Sequence, residues 1–154
     1  MQHIGHLYRS CKALVLPVVV AAGISAQDVW NSQTLIKPEA AAKQVRNSSA
    51  DKPLILFVGF PAMYRGAHIP DAVLAGPAST PAGLAKLKGI ASSLPRNGKV
   101  IVYCGCCPFV KCPNVKPAYT ALRAMGFSQI EVLELDQNFH ADWVMKGYPV
   151  ERPS

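Results

Sequence analysis

The sequence is poor in acidic residues, in long apolar runs and in cysteine outside one short stretch. Nine Asp and Glu stand against 16 Lys and Arg in 154 residues, for a formal net charge of +7. Those basic residues are scattered. No run of Lys and Arg forms a nucleic-acid stripe, so no nucleic-acid partner is expected. The excess supports a modest pull on anionic substrates and no more. Ala13 to Ile24 is apolar but falls short of the roughly 20 residues that span a bilayer. No internal repeat is visible. What the chain does have is a 50 % hydrophobic composition, which excludes disorder over most of its length. Its size suits one domain with a real core and is too small for two.

Residues 1–26 read as a targeting segment. His3, His6, Arg9 and Lys12 form a polar start with no acidic residue, the apolar run follows, and small Ser25 and Ala26 precede Gln27 and Asp28. That is the order of a secretory signal, with cleavage expected after Ala26 and an exported, periplasmic mature protein. The alternative is an uncleaved amphipathic anchor, which would be the chain's sole membrane contact. Cys11 precedes the apolar run, the wrong side for a lipoprotein cysteine. Residues 27–36 form a lead-in, and 37–152 the folded domain.

Helices and short apolar strands alternate along that domain. Pro38 to Arg46 reads as a helix with proline in its first turn. Leu54 to Val58 is all apolar, the mark of a strand buried on both faces. Gly59 to Ala78 is loop-like. A second helix, capped by Thr80, runs to about Leu94. After the Pro95–Gly98 turn comes a second buried strand, Lys99 to Tyr103. A loop from Gly105 to Asn114 leads into a helix over Val115 to Met125, stopped by Gly126. Ile130 to Leu133 is a third strand, and Asn138 to Lys146 a last helix. This order predicts an α/β fold, a parallel central sheet with helices on both faces.

Ligands bind such sheets at the carboxyl ends of strands. Cys104 sits at one of those ends, and Cys106, Cys107 and Cys112 follow it in the same loop. Cysteines that staple a small fold are usually spread along it, so this cluster acts locally. The helix beginning near Asn114 offers N–H groups and a dipole that favour an anion such as a thiolate. Lys111 and Lys116 are the nearby cations in sequence.

Three stretches give the chain a likeness to a known family. Gly66-Ala-His-Ile-Pro-Asp-Ala72, Val100-Ile-Val-Tyr-Cys104, and the run from Ala121 to Phe127 with Ile130–Leu133, Phe139, Trp143 and Gly147–Val150, resemble the rhodanese-like sulfurtransferases over about Lys37 to Glu151. The resemblance implies a rhodanese-like fold with Cys104 as nucleophile. The chain departs from the family at three places. Phe57-Val58-Gly59 replaces the Asp-Val-Arg that ends the early strand. Gln137-Asn138 replaces a Gly-Gly. The active loop is longer, and no arginine stands in it.

Three chemistries fit the loop. In the first, Cys104 takes a sulfane sulfur from a small sulfur-containing anion, holds it as a persulfide, and passes it to a thiol protein or cyanide. Gly105 and other loop amides, Asn114, Lys111 and Lys116 would bind the anion, and no cofactor is needed. In the second, Cys104-Gly-Cys-Cys107 is a C-x-x-C pair for thiol–disulfide exchange, with Cys107 as the resolving thiol. The third is a zinc or iron–sulfur site. Adjacent Cys106 and Cys107 would point apart in an extended chain, which counts against one ion held by all four. Cys106 and Cys112 are second thiols, or halves of a bracing disulfide in which Cys112 ties back to Cys106 or Cys107. A phosphatase is excluded, because its cysteine needs an arginine six positions on for bidentate phosphate contact. Val110, Cys112, Pro113 and Ala118 occupy those places. His68 and His140 read as packing and solvated residues, and Phe127, Phe139 and Trp143 as core.

Overall fold

The structure is a computed structural model that describes residues 30–47 and 52–152. The expected signal segment lies outside the described residues. None of the described helices is long and apolar enough to cross a membrane.

Five parallel strands form one sheet in the order β1-β5-β4-β2-β3. They are β1 (Leu35–Ile36), β2 (Leu54–Phe57), β3 (Val73–Leu74), β4 (Lys99–Tyr103) and β5 (Gln129–Leu133). The central strand is β4, paired with β2 through Ile55 and Ile101 and with β5 through Val100 and Ile130. Alternation along it sends its side chains to two cores. Val100, Val102 and Cys104 face α3 (Pro81–Ser92) and α4 (Val115–Ala124), where Leu87, Ala91, Ala118 and Leu122 are buried. Ile101 and Tyr103 face α1 (Pro38–Arg46) and the C-terminal segment, with Ala41, Ala42, Phe139 and Trp143. Helices therefore cover both faces, as expected from the all-apolar strands. Each fully buried Leu, Ile or Phe here contributes about 1.5–3 kcal/mol.

Three features differ from the sequence expectation. β1 falls within residues 27–36, read as a lead-in, and pairs with β5 at Leu35 and Val132. The stretch 59–78 is not all loop. It holds α2 (Pro61–Gly66), started by a proline at its first turn, and then β3. The last helix is shorter than Asn138 to Lys146. It is a π-helix over His140–Val144, with Met145 N–H bonded to the His140 carbonyl and Tyr148 N–H to that of Trp143. Asp142 accepts from the N–H groups of Gln137 and Asn138 and closes its first turn.

Candidate functional site

The loop after β4 turns sharply because of Gly105. Its φ is +84°, a left-handed conformation that other residues seldom adopt. A Cβ there would also lie 2.8 Å from that of Phe139. The turn is pinned from three sides. The Gly105 carbonyl accepts from Phe139 N–H at 3.1 Å, and the Leu135 carbonyl accepts from Phe109 N–H at 2.9 Å. Trp30 packs on Phe109 and Tyr119, with ring centroids 6.1 and 5.4 Å apart. A 3-10 turn, Phe109–Lys111, then carries the chain to Cys112 and α4.

This geometry gathers the four sulfurs. Cys106 Sγ is the hub, 3.4 Å from Cys104, 2.9 Å from Cys107 and 3.8 Å from Cys112. Two expectations need correction. The side chains of Cys106 and Cys107 do not point apart, because the loop is turned rather than extended. No loop cysteine is in a disulfide either, since all four are free thiols and no pair approaches the ~2.05 Å of a bond. Cys104 Sγ is in contact with Cys106 Sγ. The sulfurs of Cys104, Cys106 and Cys112 lie within 4.8 Å of one another, so those three could hold a soft metal ion.

Burial and hydrogen bonding divide the roles. Cys104 and Cys112 are buried, Cys107 is half-buried and Cys106 is exposed. Asn114, expected among the anion-binding groups, is wholly buried. Its Nδ2 donates to Cys104 Sγ at 3.3 Å, and its Oδ1 accepts from Ser79 N–H at 3.0 Å. It positions the sulfur, and leaving either polar atom unpaired would cost about 1–3 kcal/mol. Gly59 makes room on the other side. A Cβ there would lie 2.9 Å from Cys104 Sγ and 2.8 Å from the Phe57 ring.

Negative charge settles on Cys112. A hydrogen bond from Cys104 pulls its thiol down to about 5, against burial and with help from the N–H groups of Asn114 and Val115 at the start of α4. The hydrogen bond to Cys112 and then burial push Cys104 up. The proton the two share thus stays on Cys104. Burial, followed by the contact with Cys106, pushes Cys107 up to about 12.

A cleft of about 400 Å³ opens at Cys106 and Gly105, walled by Phe139 and Met63 and edged by His140 and Arg152. Neither expected cation lines it. Lys111 is exposed at the end of the 3-10 turn, and Lys116 lies in a groove between α3 and α4 with Leu84, Lys88 and Met125. Arg152 was not expected here. It arrives through an antiparallel bridge in which His68 and Glu151 exchange backbone hydrogen bonds of 2.9 and 2.8 Å. His68 itself is buried, stacked on Tyr64, with its Nδ1 2.8 Å from the Tyr64 carbonyl oxygen. No motif marks Arg152, which lies far along the chain from the loop it serves.

No protein-family model matches the sequence, and no curated protein matches it either. Solved structures do. The chain is similar to the Alr3790 protein from Anabaena sp., at 20 % identity, over 77 % of this chain and 82 % of that one, with a TM-score of 0.58. A further structure of that protein, described as its rhodanese-like domain, matches at 24 % identity over 64 % and 86 %, with a TM-score of 0.47. The fold is rhodanese-like. A second likeness is to RDL2 from Saccharomyces cerevisiae, described as a single-domain sulfurtransferase, at 15 % identity over 76 % and 93 %, with a TM-score of 0.55. Within the rhodanese-like fold, the four-thiol cluster sits at the carboxyl end of the central strand, where such sheets bind ligands.

Proposed function

We propose that this chain is an exported sulfurtransferase that carries sulfane sulfur as a persulfide on Cys104. The observation that carries the reading is the placement of Cys104 Sγ. It stands at the end of β4, held by Asn114 and within 4.8 Å of Cys112 Sγ. A small anion such as thiosulfate would enter the cleft at Cys106, where Arg152 supplies positive charge.

The reaction balances within these groups. Cys104 Sγ attacks the outer sulfur of thiosulfate while its proton passes to Cys112. The donor's S–S bond breaks and sulfite leaves with the electron pair. Cyanide or a thiol then attacks the outer sulfur of the persulfide, Cys104 departs, and the proton returns from Cys112.

The reduced protein, treated with thiosulfate, is expected to release sulfite as the sulfur is loaded and, with cyanide present, to form thiocyanate. Sulfite and thiocyanate assays read the two steps, and release of neither overturns the proposal. Arg152→Ala is expected to raise the KM for thiosulfate roughly tenfold, on the scale of one lost charge-assisted contact, and to leave kcat nearly unchanged. Steady-state kinetics check this; a fall in kcat at constant KM would remove Arg152 from donor binding.

A further inference from the structure

Cys104 has almost no exposed surface, at 1 %, so a folded protein thiol could not readily reach a persulfide on it. A thiol of the same loop can. Cys106 Sγ lies 3.4 Å from Cys104 Sγ, closer to it than to Cys112, and is itself exposed beside the cleft. From this geometry we infer that Cys106 is an internal acceptor that resolves the Cys104 persulfide, releasing hydrosulfide and leaving a Cys104–Cys106 disulfide. The inference rests on the sulfurtransferase reading and adds the fate of the sulfur.

The atom Cys106 already touches decides which bond breaks. Its sulfur attacks Cys104 Sγ, and a Cys104–Cys106 bond forms as the two sulfurs close by about 1.4 Å to a normal disulfide length. The bond from Cys104 Sγ to the outer sulfur breaks. The outer sulfur leaves with the electron pair, takes the Cys106 proton and departs as hydrosulfide. The two cysteine sulfurs are oxidised by two electrons and the outer sulfur is reduced by the same two. An external dithiol resets the loop by thiol–disulfide exchange, attacking at the exposed Cys106. Cys107, 2.9 Å from Cys106, touches the same sulfur.

Reduced full-length protein, freed of reductant and mixed with thiosulfate, tests this. Sulfide is measured with a sulfide-selective probe and the protein by intact mass. Expected is close to one sulfide per chain, with the protein ending two hydrogens lighter and carrying no extra sulfur. Cys106→Ser, a change at an exposed position, is expected to retain the bound sulfur and to release sulfide roughly tenfold more slowly or worse. Wild-type protein that keeps a stable persulfide, or a Cys106→Ser variant that releases sulfide as fast as wild type, overturns the inference while leaving sulfur loading intact. Absence of bound sulfur in both proteins, with no sulfide, overturns the sulfurtransferase reading instead.

Discussion

Replacing Cys104 with serine is expected to abolish sulfur loading, with a loss of at least about 10³ in rate, the scale on which removal of a nucleophile is felt. The substitution is nearly isosteric, and Asn114 Nδ2 can donate to a hydroxyl as it does to the thiol at 3.3 Å. Folding should therefore survive, and circular dichroism with a melting curve checks that it does. Loading cannot survive, because a serine oxygen at that position is a far weaker attacking group toward sulfur. The other three thiols remain in the variant, which makes the result informative. Cys106 is the most accessible of the four, and a loop that loaded sulfur on any open thiol would load it there. A Cys104→Ser protein that still gains the mass of one sulfur, located by peptide mapping on Cys106 or Cys112, would move the nucleophile off the strand end.

The strand end was readable because β2 and β4 are runs of apolar residues with no polar interruption, and a sheet buried on both faces is what such runs build. A cysteine directly after the second of them had to emerge at the carboxyl edge. Two-residue strands gave no such signal. Leu35–Ile36 and Val73–Leu74 are too short for any periodicity and exist only because β5 and β2 offer them an edge. Within the loop, the pairing of Cys104 with Cys107 followed from C-x-x-C spacing, which assumes a helical turn. Gly105 takes a left-handed conformation against Phe139 instead, and that one torsion brings Cys106 to Cys104. Asn114 was expected to bind the anion because a helix begins near it; its side chain is enclosed between Ser79 and Cys104. Arg152 was beyond sequence reasoning, because only the His68–Glu151 bridge brings the chain's end to the cleft.

The ionisation of the loop gives the second large expected effect. In the wild type, Cys112 is held down to about 5 by Cys104 and by the amides of Asn114 and Val115. A thiol is charged above its pKa, so the loop should carry a thiolate from just above pH 5 upward. Replacing Cys112 with serine removes the sulfur on which that charge rests; it also removes the hydrogen bond that does most to push Cys104 up, and burial then remains to hold Cys104 protonated. The pH at which thiolate absorbance appears should move upward. Near pH 6 that absorbance should fall by roughly a hundredfold or more, because a thiol of even ordinary pKa, about 8.5, is well under 1 % ionised there. The window follows from the direction of the shift. Below about pH 5 both proteins are protonated and the difference closes, between that value and the usual thiol range it is largest, and in alkali it narrows. An ultraviolet titration of thiolate absorbance in both proteins decides the matter. Superimposable titrations would mean that the charge does not rest on Cys112, and that the helix start at Asn114 and Val115 holds that sulfur for structural reasons alone.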